Sequence, residues 1–266
     1  MEPMHCGKPR PRQVVVPLLR RDSIGASHHV LTFDCEQPLE AAPGQFAMVR
    51  GAQWGESPFL PRPMSILTAG RRPSILVKVV GEGTRRLASS EPGELFTVHA
   101  PLGVGWAPCP EDRVPVLVAG GVGVCPLVFL ARGLTEQGRR AIALYGGRSA
   151  GDLPLDDELA EVTDLRIATE DGSLGQLGRV TVLLESAIEE TKGRLKVYAC
   201  GPRAMMARVV EMCRAADAPC EVSLETIMGC GYGVCLGCAV PKVGGGYLYA
   251  CSEGPCVDGH AIAWES

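Results

Sequence analysis

The chain has 266 residues, 46% of them hydrophobic and 21% charged, with a formal net charge of −4 at neutral pH. That length and composition exclude a disordered chain and allow two ordinary domains plus a small appendage. The mild acidity excludes a polybasic footprint for nucleic acid or anionic lipid, and no apolar run reaches the roughly 18–20 residues of a membrane helix. The longest early run, VVVPLL (Val14 to Leu19), is short for a signal-peptide core and contains a proline, so the expected location is the cytoplasm.

In chain order, the first hundred residues alternate short apolar runs with Gly/Pro punctuation: HHVLTFDC, GQFAMVRG, RPMSILTA, PSILVKVVG and GELFTVHAPLG. This spacing predicts an all-β barrel or sandwich. The rhythm changes after the Pro-rich segment Pro101–Pro110. VPVLVA, Val114–Ala119, is a near-continuous apolar strand followed by GGVGVCPL and a helix-length segment. The strand AIALYGGR, the strand DLRIATEDG, the helix RVTVLLESAIEE, the strand LKVYACGP and the helix RAMMARVVEMCRAADA follow. Strands alternating with helices predict a parallel sheet covered on both faces. A second boundary falls near Pro219, where EVSLE precedes a cysteine-rich tail.

Twelve cysteines are many for a reducing compartment, where disulfides are disfavoured and clustered thiols more often bind metal. Cys230-x4-Cys235-x2-Cys238-x12-Cys251 has the x4-then-x2 spacing of a plant-type [2Fe–2S] site. Gly229, Gly231, Gly233 and Gly237 suit a loop that must turn backbone N–H groups toward a cluster. Zinc fits less well, because structural zinc sites commonly use two separated knuckles and only Cys235/Cys238 form one. Cys256, five residues past Cys251, competes as fourth ligand. The remaining cysteines, Cys6, Cys35, Cys109, Cys125, Cys200, Cys213, Cys220 and Cys256, read mostly as small buried hydrophobes.

Three weaker signals stand upstream. Arg62-Pro63-Met64-Ser65 offers a guanidinium fork for phosphate and a hydroxyl for a planar heterocycle, though a surface arginine on a strand explains it equally. Gly81-Glu82-Gly83-Thr84 is a second phosphate contact or a plain turn. Gly120, Gly121 and Gly123 follow a strand and open a helix, as a pyrophosphate-binding turn does, and Cys200-Gly201-Pro202 ends a neighbouring strand facing the same crevice.

The order RPMS, GEGT, GGVG, CGP resembles the ferredoxin-reductase family over roughly residues 10–220. The resemblance implies a flavin-binding Greek-key β-barrel followed by a parallel-sheet α/β nucleotide-binding domain. It places the FAD pyrophosphate on Arg62, the isoalloxazine near Ser65 and beside the strand Leu76, Val77, Lys78, and a second phosphate contact at Gly83 and Thr84. It assigns Gly120, Gly121 and Gly123 to NAD(H), with Cys200 and Gly201 near the nicotinamide. Met64 stands where many members carry an aromatic residue. An aliphatic residue there resembles a narrower group, the electron-transfer subunits of NAD-dependent two-subunit dihydroorotate dehydrogenases. That group appends a small C-terminal iron–sulfur domain, entered through a segment like Ser223-Leu224-Glu225-x-x-Met228-Gly229-Cys230-Gly231. Its last ligand sits in a context like Cys251-Ser252-Glu253-Gly254-Pro255, which implies Cys230, Cys235, Cys238 and Cys251 as the cluster ligands.

The implied division is a FAD-binding barrel over 1–108, an NAD-binding domain over 109–219 and a cluster domain over 220–266. The implied partner is a dihydroorotate-oxidising FMN subunit, in a heterotetramer of two of each, with the cluster loop at the interface. No acid–base dyad is expected: no histidine sits in a catalytic motif, and Asp156/Asp157 read as solvated surface. Rival readings are a flavin/iron–sulfur reductase serving a hydrogenase, sulfide dehydrogenase or ferredoxin–NADPH transhydrogenase, and a zinc-binding regulator. Arg148 is a weak candidate for reading a ribose 2′-phosphate, so NAD against NADP stays open.

Overall fold

The computed structural model describes residues 11–264, so Cys6 lies outside the described residues. Six antiparallel strands, β1 (Arg12–Ile24), β2 (His28–Phe33), β3 (Phe46–Gly51), β4 (Arg62–Thr68), β5 (Ser74–Lys78) and β6 (Leu95–Leu102), close into a barrel. Their order, β1-β2-β5-β4-β3-β6, has the Greek-key jump from β2 to β5. Five of these strands coincide with the apolar runs read from the sequence. The sixth, β1, is the proline-interrupted run. Val16 and Leu18 point into the barrel, but the outward Val15 and Leu19 are apolar too, which hides the two-residue period. Phe33 and Phe96 meet edge-to-face at 5.5 Å in the barrel core. The GEGT segment, read as a turn, opens a short helix, α1 (Glu82–Ala88).

The second unit contains β7 (Val114–Gly120), α2 (Val124–Glu136), β8 (Ala141–Gly147), α3 (Asp156–Val162), β9 (Thr163–Thr169), β10 (Gln176–Leu177), α4 (Thr181–Glu190), β11 (Leu195–Cys200), α5 (Arg203–Ala215) and β12 (Cys220–Ser223). The tail adds β13 (Ala239–Pro241), β14 (Tyr247–Tyr249) and β15 (Cys256–Asp258). The large sheet runs β10-β9-β8-β7-β11-β12-β15, parallel except for β15. Helices on both faces explain why β11 is buried throughout. Pro126 is harmless in α2 because a first-turn N–H has no intrahelical partner to lose. Buried Lys196 is matched by Glu221 at 2.7 Å and by the carbonyls of Ala107 and Pro108, both at 3.1 Å.

Two features position the site. The strand order reverses at β7, with β8 on one side and β11 on the other, so the carboxyl ends of β7 and β11 flank a crevice. The tail is joined to that sheet, since β15 pairs with β12 through Glu221↔Asp258, Val222↔Val257 and Ser223↔Cys256. Both strands of that pair lie beyond residue 219.

Candidate functional site

On the barrel, β4 carries Arg62, Pro63, Met64 and Ser65, all half-buried although they lie within a sheet. Arg62 points at the first turn of α1. A Cβ on Gly83 would overlap the Arg62 guanidinium, so the two approach this closely only because residue 83 is glycine. The Thr84 hydroxyl accepts from the N–H groups of Val80 (2.9 Å) and Gly81 (3.0 Å), which fixes that turn. A guanidinium beside the unpaired N–H groups of a helix start has the charge and donors that a pyrophosphate needs, so these residues fit FAD. On β5, Val77 faces the barrel core, while Leu76 belongs to the core of the α/β unit. Lys78 reaches across to Asp152 at 3.3 Å.

In the α/β unit, Gly120 ends β7, and Gly121 to Gly123 form a 3-10 turn that leads into α2. The turn packs on Cys200 and Gly201 at the end of β11 so tightly that a Cβ on Gly123 would sit 2.5 Å from the Cys200 carbonyl carbon. The Tyr145 hydroxyl donates to the carbonyls of Gly121 (3.0 Å) and Pro154 (2.8 Å), tying the turn to the loop after β8. Gly120, Gly121, Gly123, Cys200 and Gly201 thus lie together at the sheet's carboxyl edge, and Cys125 of α2 donates its thiol to the Ser65 carbonyl at 3.5 Å. Strand β4 and the helix that follows the glycine turn are thereby in contact. Burial raises the thiol of Cys200 strongly and that of Cys125 to about 12, so both are neutral.

In the tail, the four cysteines fall into two pairs. Cys238 and Cys251 have their sulfurs 3.2 Å apart, and Cys230 and Cys235 are in side-chain contact. Backbone donors are aimed at the sulfurs: Gly233 N–H to Cys251 (3.1 Å), Cys235 N–H to Cys230 (3.4 Å) and Cys251 N–H to Cys238 (3.4 Å). Burial opposes ionisation of Cys230, but N–H groups of Cys235, Tyr232 and Val234 outweigh it and hold the thiol at about 6. Burial and the neighbouring Cys238 push Cys251 to about 11. Among the described residues no three metal-ligating side chains converge on a single-ion site. Two thiol pairs with N–H donors suit a two-iron cluster, whose irons each take two sulfurs. Cys256 points elsewhere: its buried thiol donates to the Gly44 carbonyl at 3.5 Å.

The cysteine loop is seated on the barrel. Gly231, at φ +87°, lies against Met48 and Leu102, where any Cβ would collide with Met48. Tyr232 packs on His99 with ring centroids 5.1 Å apart.

Sequence reasoning missed three features. Lys78 and Arg148 both bind Asp152, so the Arg148 guanidinium is already matched by a carboxylate (3.2 Å). His28 is buried beside Lys78 with Nε2 unpartnered, and burial, then Lys78, lowers its pKa. Thr226 Oγ1 is likewise buried and unpartnered, next to Glu225, whose carboxyl is raised by burial alone. Lys78 and Arg148 had a sequence signal of their own and Glu225 lies inside the segment that enters the cluster loop, whereas Asp152, His28 and Thr226 left none.

Comparison with known proteins agrees with this layout. The family described as the iron-sulfur cluster binding domain of dihydroorotate dehydrogenase B matches residues 225–263, and the oxidoreductase NAD-binding domain matches 117–211. The dihydroorotate dehydrogenase B (NAD(+)) electron transfer subunit of Desulforamulus reducens is 38% identical over 233 residues, 85% of this chain and 88% of that one. The subunit of the same name from Geobacillus kaustophilus is 36% identical over 220 residues, 80% and 83% of the two chains. A solved structure described as an NADH-dependent reduced ferredoxin-NADP oxidoreductase, studied for flavin-based electron bifurcation, superposes with a TM-score of 0.83 at 27% identity, covering 94% of this chain and 90% of that one. The ferredoxin reductase in carbazole 1,9a-dioxygenase shares the fold, with a TM-score of 0.70 at 17% identity over 79% and 67% of the two chains. The chain belongs to the family of dihydroorotate dehydrogenase B (NAD(+)) electron transfer subunits.

Proposed function

We propose that this chain carries electrons between NAD(H) and the FMN of a dihydroorotate-oxidising partner subunit, through FAD and a [2Fe–2S] cluster, in pyrimidine biosynthesis. The observation that carries the reading is the meeting of three parts at one place. The flavin strand β4 contacts α2 through Ser65 and Cys125, the glycine turn packs on Cys200, and the cysteine loop rests on Met48, Leu102 and His99 of the barrel.

In this reading Arg62, Gly83 and Thr84 hold the FAD pyrophosphate, and Pro63, Met64, Ser65, Leu76, Val77 and Lys78 line its ring. Gly120, Gly121 and Gly123 present backbone to the NAD(H) pyrophosphate, while Cys200 and Gly201 bound the nicotinamide end. Cys230, Cys235, Cys238 and Cys251 ligate the cluster. Flavin supplies the exchange between a hydride and single electrons that nicotinamide and an iron–sulfur cluster cannot make directly. The neutral thiols of Cys125 and Cys200 keep the crevice free of a fixed negative charge that would oppose hydride transfer. The chain divides into a barrel over 1–108, a nucleotide domain over 109–219 and a cluster domain over 220–266. It works in the cytoplasm, in a heterotetramer of two copies of each subunit.

An anaerobic visible spectrum before and after NADH tests the reading. Flavin and iron–sulfur absorbance that both bleach are expected; a colourless zinc-loaded chain refutes it. NAD+ reduction by dihydroorotate after mixing with the FMN subunit tests the partner. The likeness to the ferredoxin-NADP oxidoreductase structure favours a second reading, a reductase for another partner. That reading predicts NADH bleaching with no response to dihydroorotate in the mixed complex.

A further inference from the structure

We propose that Asp152 is a positioning residue for hydride transfer: through Lys78 it fixes the nucleotide turn against the flavin strand, an inference that rests on the electron path above. In that path the C–H electron pair of NADH leaves as hydride, giving NAD+ and a flavin reduced by two electrons. No other reactant is needed. Such a step requires the two reacting atoms to lie about 3–3.5 Å apart and aligned. The flavin residues lie on the barrel and the nicotinamide residues on the α/β unit. The gap between the two rings is therefore set by whatever fastens one unit to the other.

Much of that seam is apolar. Leu67 of β4 and Leu76 of β5 share one core cluster with Val124, Leu127 and Tyr145 of the α/β unit, and α2 adds the long thiol contact from Cys125 to the Ser65 carbonyl. Apolar burial is non-directional, so it holds two units together without fixing how one is turned on the other. An ion pair has direction. Lys78–Asp152, at 3.3 Å, is the only ion pair between barrel and α/β unit among the described residues. Its side chains are 29% and 19% exposed, which spares it most of the screening that a surface pair meets.

Each end of the pair is anchored at one of the reacting sites. Lys78 closes β5, the strand beside the flavin motif, and is paired with His28 across the ladder. Asp152 is held from its other side by Arg148, whose Nε and Nη2 lie 3.2 and 3.4 Å from the two carboxylate oxygens. The Asp152 N–H donates to the Ser149 carbonyl at 3.0 Å. Its own carbonyl stands 3.8 Å from where a Cβ on Gly121 would be, against the nucleotide turn. Tyr145 ties the same turn to the Pro154 carbonyl just past Asp152, so Asp152 moves with the turn. Buried His28 is lowered by burial and then by Lys78, so it stays neutral. Asp152 is left as the one counter-charge that Lys78 meets among the described residues.

The test compares the flavin- and cluster-loaded wild type with K78M, D152N, D152E and the K78M/D152N double variant. Stopped-flow flavin bleaching at saturating NADH reads the hydride step. Calorimetry with ADP-ribose reads the nucleotide turn alone, and thermal melting reads the link itself. In K78M and D152N the saturating rate is expected to fall about 10–100-fold, the upper figure being the cost of a misplacement of about 1 Å. ADP-ribose is expected to bind both no more weakly than wild type. D152E keeps the carboxylate and is expected to recover most of the rate. The double variant is expected to bleach and melt no worse than the poorer single variant, because the two residues act through one link. A wild-type saturating rate in K78M or D152N overturns this inference alone, as does a loss confined to ADP-ribose affinity or a double variant whose losses add. Should one single variant bind no flavin, the other decides; loss of flavin from both overturns the inference, since the pair would then serve flavin retention. Absence of NADH bleaching in wild type overturns the electron path and this inference with it.

Discussion

Replacing Gly123 with alanine tests whether the β7 turn is locked onto β11. Gly123 has φ −62°, so alanine is allowed by the backbone and any cost must come from packing. The new Cβ would lie 2.5 Å from the Cys200 carbonyl carbon and 2.8 Å from the Gly201 nitrogen, and would overlap the Cys200 oxygen. These are backbone atoms, held by the Cys200↔Ala119 and Cys200↔Ser223 pairings, so no side chain can rotate away. Relief requires the turn to move about 1 Å from β11, an overpacking cost of about 3 kcal/mol at the upper end of the usual range. For a chain of this size that lowers Tm by about 6–12 °C. The same displacement shifts the Gly120 and Gly121 backbone, so ADP-ribose binding, measured by calorimetry, is expected to weaken. G138A is the control. Gly138 has φ +74° with nothing within 4 Å of its Cβ, so that variant pays only left-handed strain of about 1 kcal/mol and keeps its nucleotide affinity. G123A melting with G138A and binding ADP-ribose like wild type would refute the reasoning.

Three further outcomes are expected. R62A removes the guanidinium from Gly83, and FAD affinity should fall by about 10–100-fold, the worth of a charge-assisted contact, as read by flavin fluorescence on dilution; full flavin retention counts against the cradle. C251S should lose the cluster absorbance and electron export, whereas C256S should keep both, because the Cys256 thiol faces Gly44; the reverse pattern would reassign the fourth ligand. D152N should flatten the acid limb of stability. Burial opposes ionisation of Asp152, but hydrogen bonds from Arg148 and Lys78 outweigh it and depress the folded pKa. Its contribution is therefore complete above the ordinary aspartate value of about 3.9 and is lost as pH falls through the lower folded value. Wild type and D152N with the same Tm slope between about pH 2 and 5 would remove Asp152 from that role.

Much of the fold was legible because its causes are local. β7 and β11 announce themselves as continuous apolar runs, since a parallel strand with helices on both faces needs apolar side chains on each. β1 did not, because Val15 and Leu19 keep its solvent side apolar and erase the alternation. α1 was hidden by its glycines, which read as a turn until Thr84 is seen fastening Val80 and Gly81.

The sequence by itself determined the cluster ligands' spacing and the glycine turns, because a ligand loop and a tight strand–helix turn are built from residues a few positions apart. The resemblance those motifs carry chose Cys251. What only the tertiary structure decided are the relations between distant segments: Cys256 turned toward Gly44, Lys78 bound to Asp152 across two units, and Ser223 paired with Cys200. Each depends on how strands are paired, and β15 joining β12 as an antiparallel edge is a pairing that no local pattern encodes. Side chains far apart in the chain meet only after the backbone ladders have formed, so the groups that tune the site stay invisible until the sheet is built.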